Sequence, residues 1–83
     1  MTSEEIKEMI ESGIPDAEAF VDGDGSHFNV RVVSDNFADC TMVEQHKMVY
    51  GTLGDSMESA IHALSIQTYT CEQWATVGKL QVL

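Results

Sequence analysis

Basic residues are scarce in this 83-residue chain: four Lys and Arg stand against fourteen Asp and Glu, for a formal net charge of −10. A surface of that sign repels phosphate backbones and anionic lipid, which argues against nucleic acid as a first partner and points to solubility or to steering of a basic partner. Cysteine is nearly absent as well. Cys40 and Cys71 form no C-x-x-C pair, which leaves no disulfide framework and no zinc ribbon. Both are expected as free thiols filling small apolar spaces. Neither has a basic neighbour in sequence to activate it, so a thiol redox enzyme is disfavoured. No run approaches the roughly 18 apolar residues of a bilayer span, and Met1-Thr2-Ser3-Glu4-Glu5 lacks the basic and apolar regions of a signal peptide. The chain is therefore expected to be soluble and cytoplasmic. P-loop, G-x-G-x-x-G, H-E-x-x-H and nucleophile-elbow motifs are all missing. A stand-alone catalyst is not expected.

What is present is a regular alternation of helix and strand signals. Hydrophobic residues make up 43% of the chain and are spread along it, enough for one small core, so residues 1–83 are expected to form one domain. Thr2-x-x-Glu5 is a capping-box pattern followed by Ile6, Met9 and Ile10 at helical spacing, and Gly13 and Pro15 close the segment, which predicts a helix over 3–12. Ala17, Ala19 and Val21 then alternate with Glu18 and Phe20. Asp22-Gly23-Asp24-Gly25 signals a turn, and Phe28, Val30 and Val32 alternate again. This predicts a β-hairpin with strands at 16–22 and 27–34 and an adaptable loop between them. Thr41-x-x-Glu44 caps a second helix over about 42–50, which Gly51 and Gly54 interrupt. Met57, Ala60 and Ile61 suggest a short third helix, residues 63–69 read as a strand, and Thr70-x-x-Gln73 caps a final helix with Trp74 and Val77. The predicted order is α-β-β-α-α-β-α, with Phe28, Val30, Val32, Leu64 and Ile66 meeting Ile6, Met9, Val43 and Val49 in one core.

Three histidines are the candidates for chemistry. His27 follows the glycine-rich acidic turn, where it could present an imidazole to a metal. His62 begins the last strand pattern in phase with Leu64 and Ile66. Position alone favours an ordinary hairpin residue for the first and a partly buried edge residue for the second over ligands. His46 lies on the apolar stripe of the second helix, where a hydrogen-bonded packing role is expected. Asp16, Asp22 and Asp24 lack the EF-hand pattern and read as a solvated turn. Gly51-Thr52-Leu53-Gly54 has the G-x-x-G spacing of a KH nucleic-acid clamp but contains no basic residue.

The string Gly23-Asp24-Gly25-Ser26-His27-Phe28, together with Val32-Val33-Ser34, Phe37, His46-Lys47-x-Val49-Tyr50, Ile61-His62-Ala63-Leu64-Ser65-Ile66 and Thr68-Tyr69-Thr70 before Trp74, resembles the BolA-like family. Its hairpin version is similar to the IbaG/YrbA-type subgroup. The resemblance implies an α+β, class II KH-like fold with a three-stranded mixed sheet and helices on one face. It also implies a non-enzymatic protein, linked to stress response, that pairs with a monothiol glutaredoxin. The two would share a 2Fe-2S cluster with glutathione in iron–sulfur trafficking or iron regulation. The cluster ligands on this chain would be His27 and His62, with none expected to bind tightly to the isolated chain, itself a monomer or weak homodimer. Cys71 replaces the family's usual proline, and Cys40 inherits no role. Some members act as transcriptional regulators. Here that alternative requires Arg31, Lys47 and Lys79 to gather on one face.

Overall fold

The computed structural model describes residues 2–23, 27–54 and 63–81. Helix α1 spans Ser3–Gly13 and starts where the sequence marks it: the Thr2 hydroxyl accepts from the Glu5 N–H at 3.2 Å and the Glu5 carboxylate accepts from the Thr2 N–H at 3.1 Å. The same reciprocal pair, Thr41 with Glu44, opens α2, Met42–Leu53, and Thr70 with Gln73 opens α3, Cys71–Gln81. Each box satisfies backbone donors that a helix start leaves unpaired. The short third helix suggested around Met57–Ile61 lies outside the described residues.

Strands β1, Glu18–Gly23, and β2, His27–Val33, pair antiparallel; β3, Ala63–Tyr69, joins the other side of β2 in parallel, giving the order β1-β2-β3. Alternation decides what each face meets. Ala19, Phe28, Val30 and Val32 turn toward Ile6 and Ile10 of α1 and Val49 and Leu53 of α2, and all are buried. Met9, Leu64 and Ile66 pack against this core from its margin.

Two expectations fail on α2. Val43 is 63% exposed rather than in the core. The inward stripe runs through Gln45, Val49 and Leu53, and Val43 lies about 200° around the helix from Gln45 at 100° per residue. Gly51 also does not interrupt the helix, which continues to Leu53 because that side chain completes the core and the Thr52 hydroxyl donates to the Val49 carbonyl at 2.6 Å. Gly54, with φ of +53°, ends it instead.

One buried hydroxyl joins three segments. Ser34, 0% exposed, donates from Oγ to the Pro15 carbonyl at 3.2 Å and accepts from the Asn36 N–H at 3.1 Å, while its own N–H donates to the Tyr69 carbonyl at 2.9 Å. It ties the α1–β1 turn to the ends of β2 and β3. Along the outer edge of β1 the Lys7–Glu11 ion pair performs a similar task. The Lys7 ammonium donates to the Ala19 carbonyl at 2.6 Å, and the Glu11 carboxylate accepts from the Ala19 N–H at 3.0 Å. This occupies edge groups that would otherwise be open to another strand.

Ser34→Ala removes the hydroxyl from buried partners and is expected to cost about 1–3 kcal/mol, read as a lower urea midpoint with an unchanged slope. Hydrogen bonds from Lys7 and Ala19 hold the Glu11 carboxyl below the usual carboxylate range. Its folded pKa is depressed, so its contribution is complete above the unfolded carboxylate pKa, about 4.3. That contribution is lost as pH falls through the folded value. The stability difference between wild type and Glu11→Gln should therefore shrink as pH is lowered from 7 to 3, measured by urea unfolding.

Candidate functional site

The sheet register places His27 at the mouth of the parallel pair. It is the first residue of β2, exposed, and its partner across the pair is Ala63, the first residue of β3. His62 and residues 24–26 of the hairpin lie outside the described residues. What the structure supplies is that His27 stands opposite the residue that follows His62 in the chain.

Gly23 makes this corner possible. It pairs with Phe28, and a Cβ at Gly23 would collide with the His27 carbonyl oxygen and crowd the Phe28 ring. Only a residue without a side chain lets β1 approach so closely. Beside it, Asp22 accepts from the Asn29 amide at 3.2 Å and faces the Arg31 guanidinium at 3.9 Å. That carboxylate is engaged across the two hairpin strands.

The other candidates fall elsewhere. His46 is half-buried on α2 as a packing residue, but its Nε2 is buried with no hydrogen-bond partner, so the expected hydrogen-bonded role is not met at that nitrogen. Both cysteines are free thiols, yet only Cys40 is partly enclosed; Cys71 is exposed at the start of α3 and is no apolar filler. The nearby Asp35 pushes the Cys71 thiol above its ordinary pKa by accepting a hydrogen bond from it, with Glu18 adding to the effect. A raised pKa disfavours the reactive thiolate. Gly51–Gly54 is the end of a helix rather than a loop, with Leu53 in the core. Arg31 shares the sheet face of His27 and Asn29, whereas Lys47 is on α2, which packs against the opposite face. The Lys79 side chain is outside the described residues. Arg31 and Lys47 therefore do not share a face.

Comparison with known proteins agrees with this architecture. The family model described as BolA-like protein matches residues 5–73. The chain belongs to the BolA-like family. It is 37% identical over 81 residues to the acid stress protein IbaG of Escherichia coli, covering 96% of both chains, which places it with the IbaG type. It is also 48% identical over 57 residues to the DNA-binding transcriptional regulator BolA of Vibrio cholerae. That match covers 69% of this chain and 54% of the relative, so the chain spans about half the length of the BolA regulators it matches. Among solved structures, a bolA protein homologue from Coxiella burnetii is similar with a TM-score of 0.82 and 38% identity, covering 90% of this chain and 97% of that one. The BolA-like fold thus agrees with the α+β expectation and its mixed three-stranded sheet. Among the described residues, no helix is long and apolar enough to cross a membrane.

A second feature escaped sequence reasoning. Between the start of α2, the end of β3 and α3 runs a groove of about 400 Å³ lined by Met42, Thr68, Tyr69 and Val77. Its signal was an apolar surplus on α2: Met42, Val43 and Tyr50 exceed what one buried stripe can use. For the BolA-like hairpin corner, Gly23→Ala should force β1 away from His27. Amide shift changes concentrated at Asp22, His27 and Phe28, with the Ile6–Val49 core unchanged, are the expected result in heteronuclear NMR.

Proposed function

We propose that this BolA-like protein is a non-enzymatic partner of a monothiol glutaredoxin and shares a 2Fe-2S cluster with it, His27 and His62 being the ligands from this chain. Family membership supports the class of protein, and the observation that carries the ligand pair is the opposition of His27 to Ala63 at the open end of the parallel strands. An exposed imidazole on a strand end suits the group: neutral nitrogen donors serve iron, and histidine in place of thiolate raises the reduction potential of such a centre. The bound cluster would supply electron or iron–sulfur transfer chemistry. The work of this chain is to hold two imidazoles near one partner, with Gly23 setting the backbone position of the first. The acidic surface favours a partner with a basic docking face.

A second reading, transcriptional regulation through DNA, is favoured by the relatives that carry the name BolA. It is disfavoured by the net charge of −10 and by the separation of Arg31 from Lys47. A gel shift at physiological salt discriminates between the two, and robust binding there reverses the ranking.

Anaerobic reconstitution with a monothiol glutaredoxin and glutathione, followed by absorption and circular dichroism, tests the first reading. His62→Ala is expected to abolish the shared-cluster spectrum and His27→Ala to weaken or alter it, whereas His46→Ala lowers thermal stability. Because ligation requires neutral imidazole, the spectrum should fade in acid. An unchanged spectrum in the His27→Ala, His62→Ala double variant overturns the ligand assignment.

A further inference from the structure

We infer that the groove between α2 and α3 is a docking site for a basic, amphipathic helical segment of a partner protein, separate from the histidine corner. The two sites lie at opposite ends of the sheet. His27 opens the seven-residue strand β2 and Val33, opposite Tyr69 of the groove, closes it. At a rise of about 3.3 Å per residue they are roughly 20 Å apart. The inference therefore does not depend on the cluster reading.

The lining decides the chemistry of the occupant. Its most buried polar groups are already engaged: the hydroxyl of Thr68, a residue 7% exposed, donates to Gln45 Oε1, and Gln45 Nε2 donates to the Phe37 and Cys40 carbonyls at 3.1 Å each. Gln73 Oε1 accepts from the Thr70 N–H at 2.9 Å. What faces outward is Met42, 60% exposed, whose sulfur lies 3.7 Å from the Thr68 hydroxyl, with Val77, the Tyr69 ring and the exposed Gln73 and Thr76. An apolar anchor fits this surface, and methionine adapts to varied side chains.

The rim decides its charge. Asp35 accepts from the Cys71 N–H at 3.2 Å at the head of α3, Glu72 follows in its first turn and Asp39 precedes α2, whereas Glu44 lies about 160° around α2 from Met42 and faces away. The two helix starts contribute roughly +0.5 charge each, less than three carboxylates. Lys47 sits about 140° around α2 from Met42. A second copy of this chain would bring the same acidic rim and net charge of −10, and a nucleic acid its phosphates, so both are repelled. On the side away from the groove, α3 is held by the Trp74 ring, stacked on Phe20 at 5.1 Å and beside Tyr69 at 5.3 Å.

The test titrates the full isotopically labelled chain with a helical peptide of Leu at i, i+3, i+4 and i+7 and Lys elsewhere, and with its Leu/Glu counterpart. The largest amide and methyl shifts are expected at Met42, Gln45, Thr68, Gln73 and Val77, with affinity falling as salt rises and the Leu/Glu peptide at least about tenfold weaker. Met42→Asp adds negative charge, so electrostatics alone would tighten binding; loss of the apolar anchor should instead weaken it about tenfold or more. Val43→Asp, on the outward side of α2, should not weaken it. The inference is overturned by absent binding, by equal binding of the Leu/Glu peptide, by an unaffected Met42→Asp variant, or by a sedimentation-detected dimer that Met42→Asp dissolves.

Discussion

The parallel pairing of β2 with β3 is the constraint on which the molecule depends. A parallel neighbour cannot be reached by a tight turn; it needs a long crossover, and residues 34–62, including α2, lie between the two strands. Once the register sets His27 against Ala63 and Val33 against Tyr69, the alternation of side chains aligns Phe28, Val30 and Val32 with Leu64, Ile66 and Thr68 on the helix-covered face. A slip of one residue would exchange that face for the polar one. The Ser34 N–H, bonded to the Tyr69 carbonyl, fixes the far end of the same pair.

The two ends of the sheet carry different chemistry. At each end of the paired strands stands a residue outside the buried core cluster, His27 at one and Tyr69 at the other. At the near end this leaves an exposed imidazole beside a glycine that no larger residue could replace without displacing the strand. At the far end, α3 turns beside the end of β3, and Trp74 joins Phe20 and Tyr69 on one side while Val77 faces Met42 across a groove on the other.

Local signals in the sequence were strong where they act over three or four residues. All three Thr-x-x-Glu/Gln boxes form their reciprocal bonds, the hairpin strands lie within two residues of the expected bounds, and β3 occupies the expected positions. They were weaker where two patterns compete. Gly51 looked like a helix breaker, but a glycine costs only about 1 kcal/mol in a helix, which burial of Leu53 outweighs. Val43 fitted a helical spacing, but α2 carries more apolar positions than one stripe holds, and only the packing partner decides which of them turns inward.

The sequence by itself determined the order of the described elements, the caps, the alternating faces and the family, since each rests on short-range periodicity or on residues quoted in a row. Tertiary structure alone decided what stands across from what: Ala63 from His27, Asp35 from Cys71, Met42 from Val77. These pairs are separated by long stretches of chain, and no local preference encodes them. They follow from the register of β2 on β3 and from the angle at which α3 leaves the sheet, quantities set only when the whole core closes.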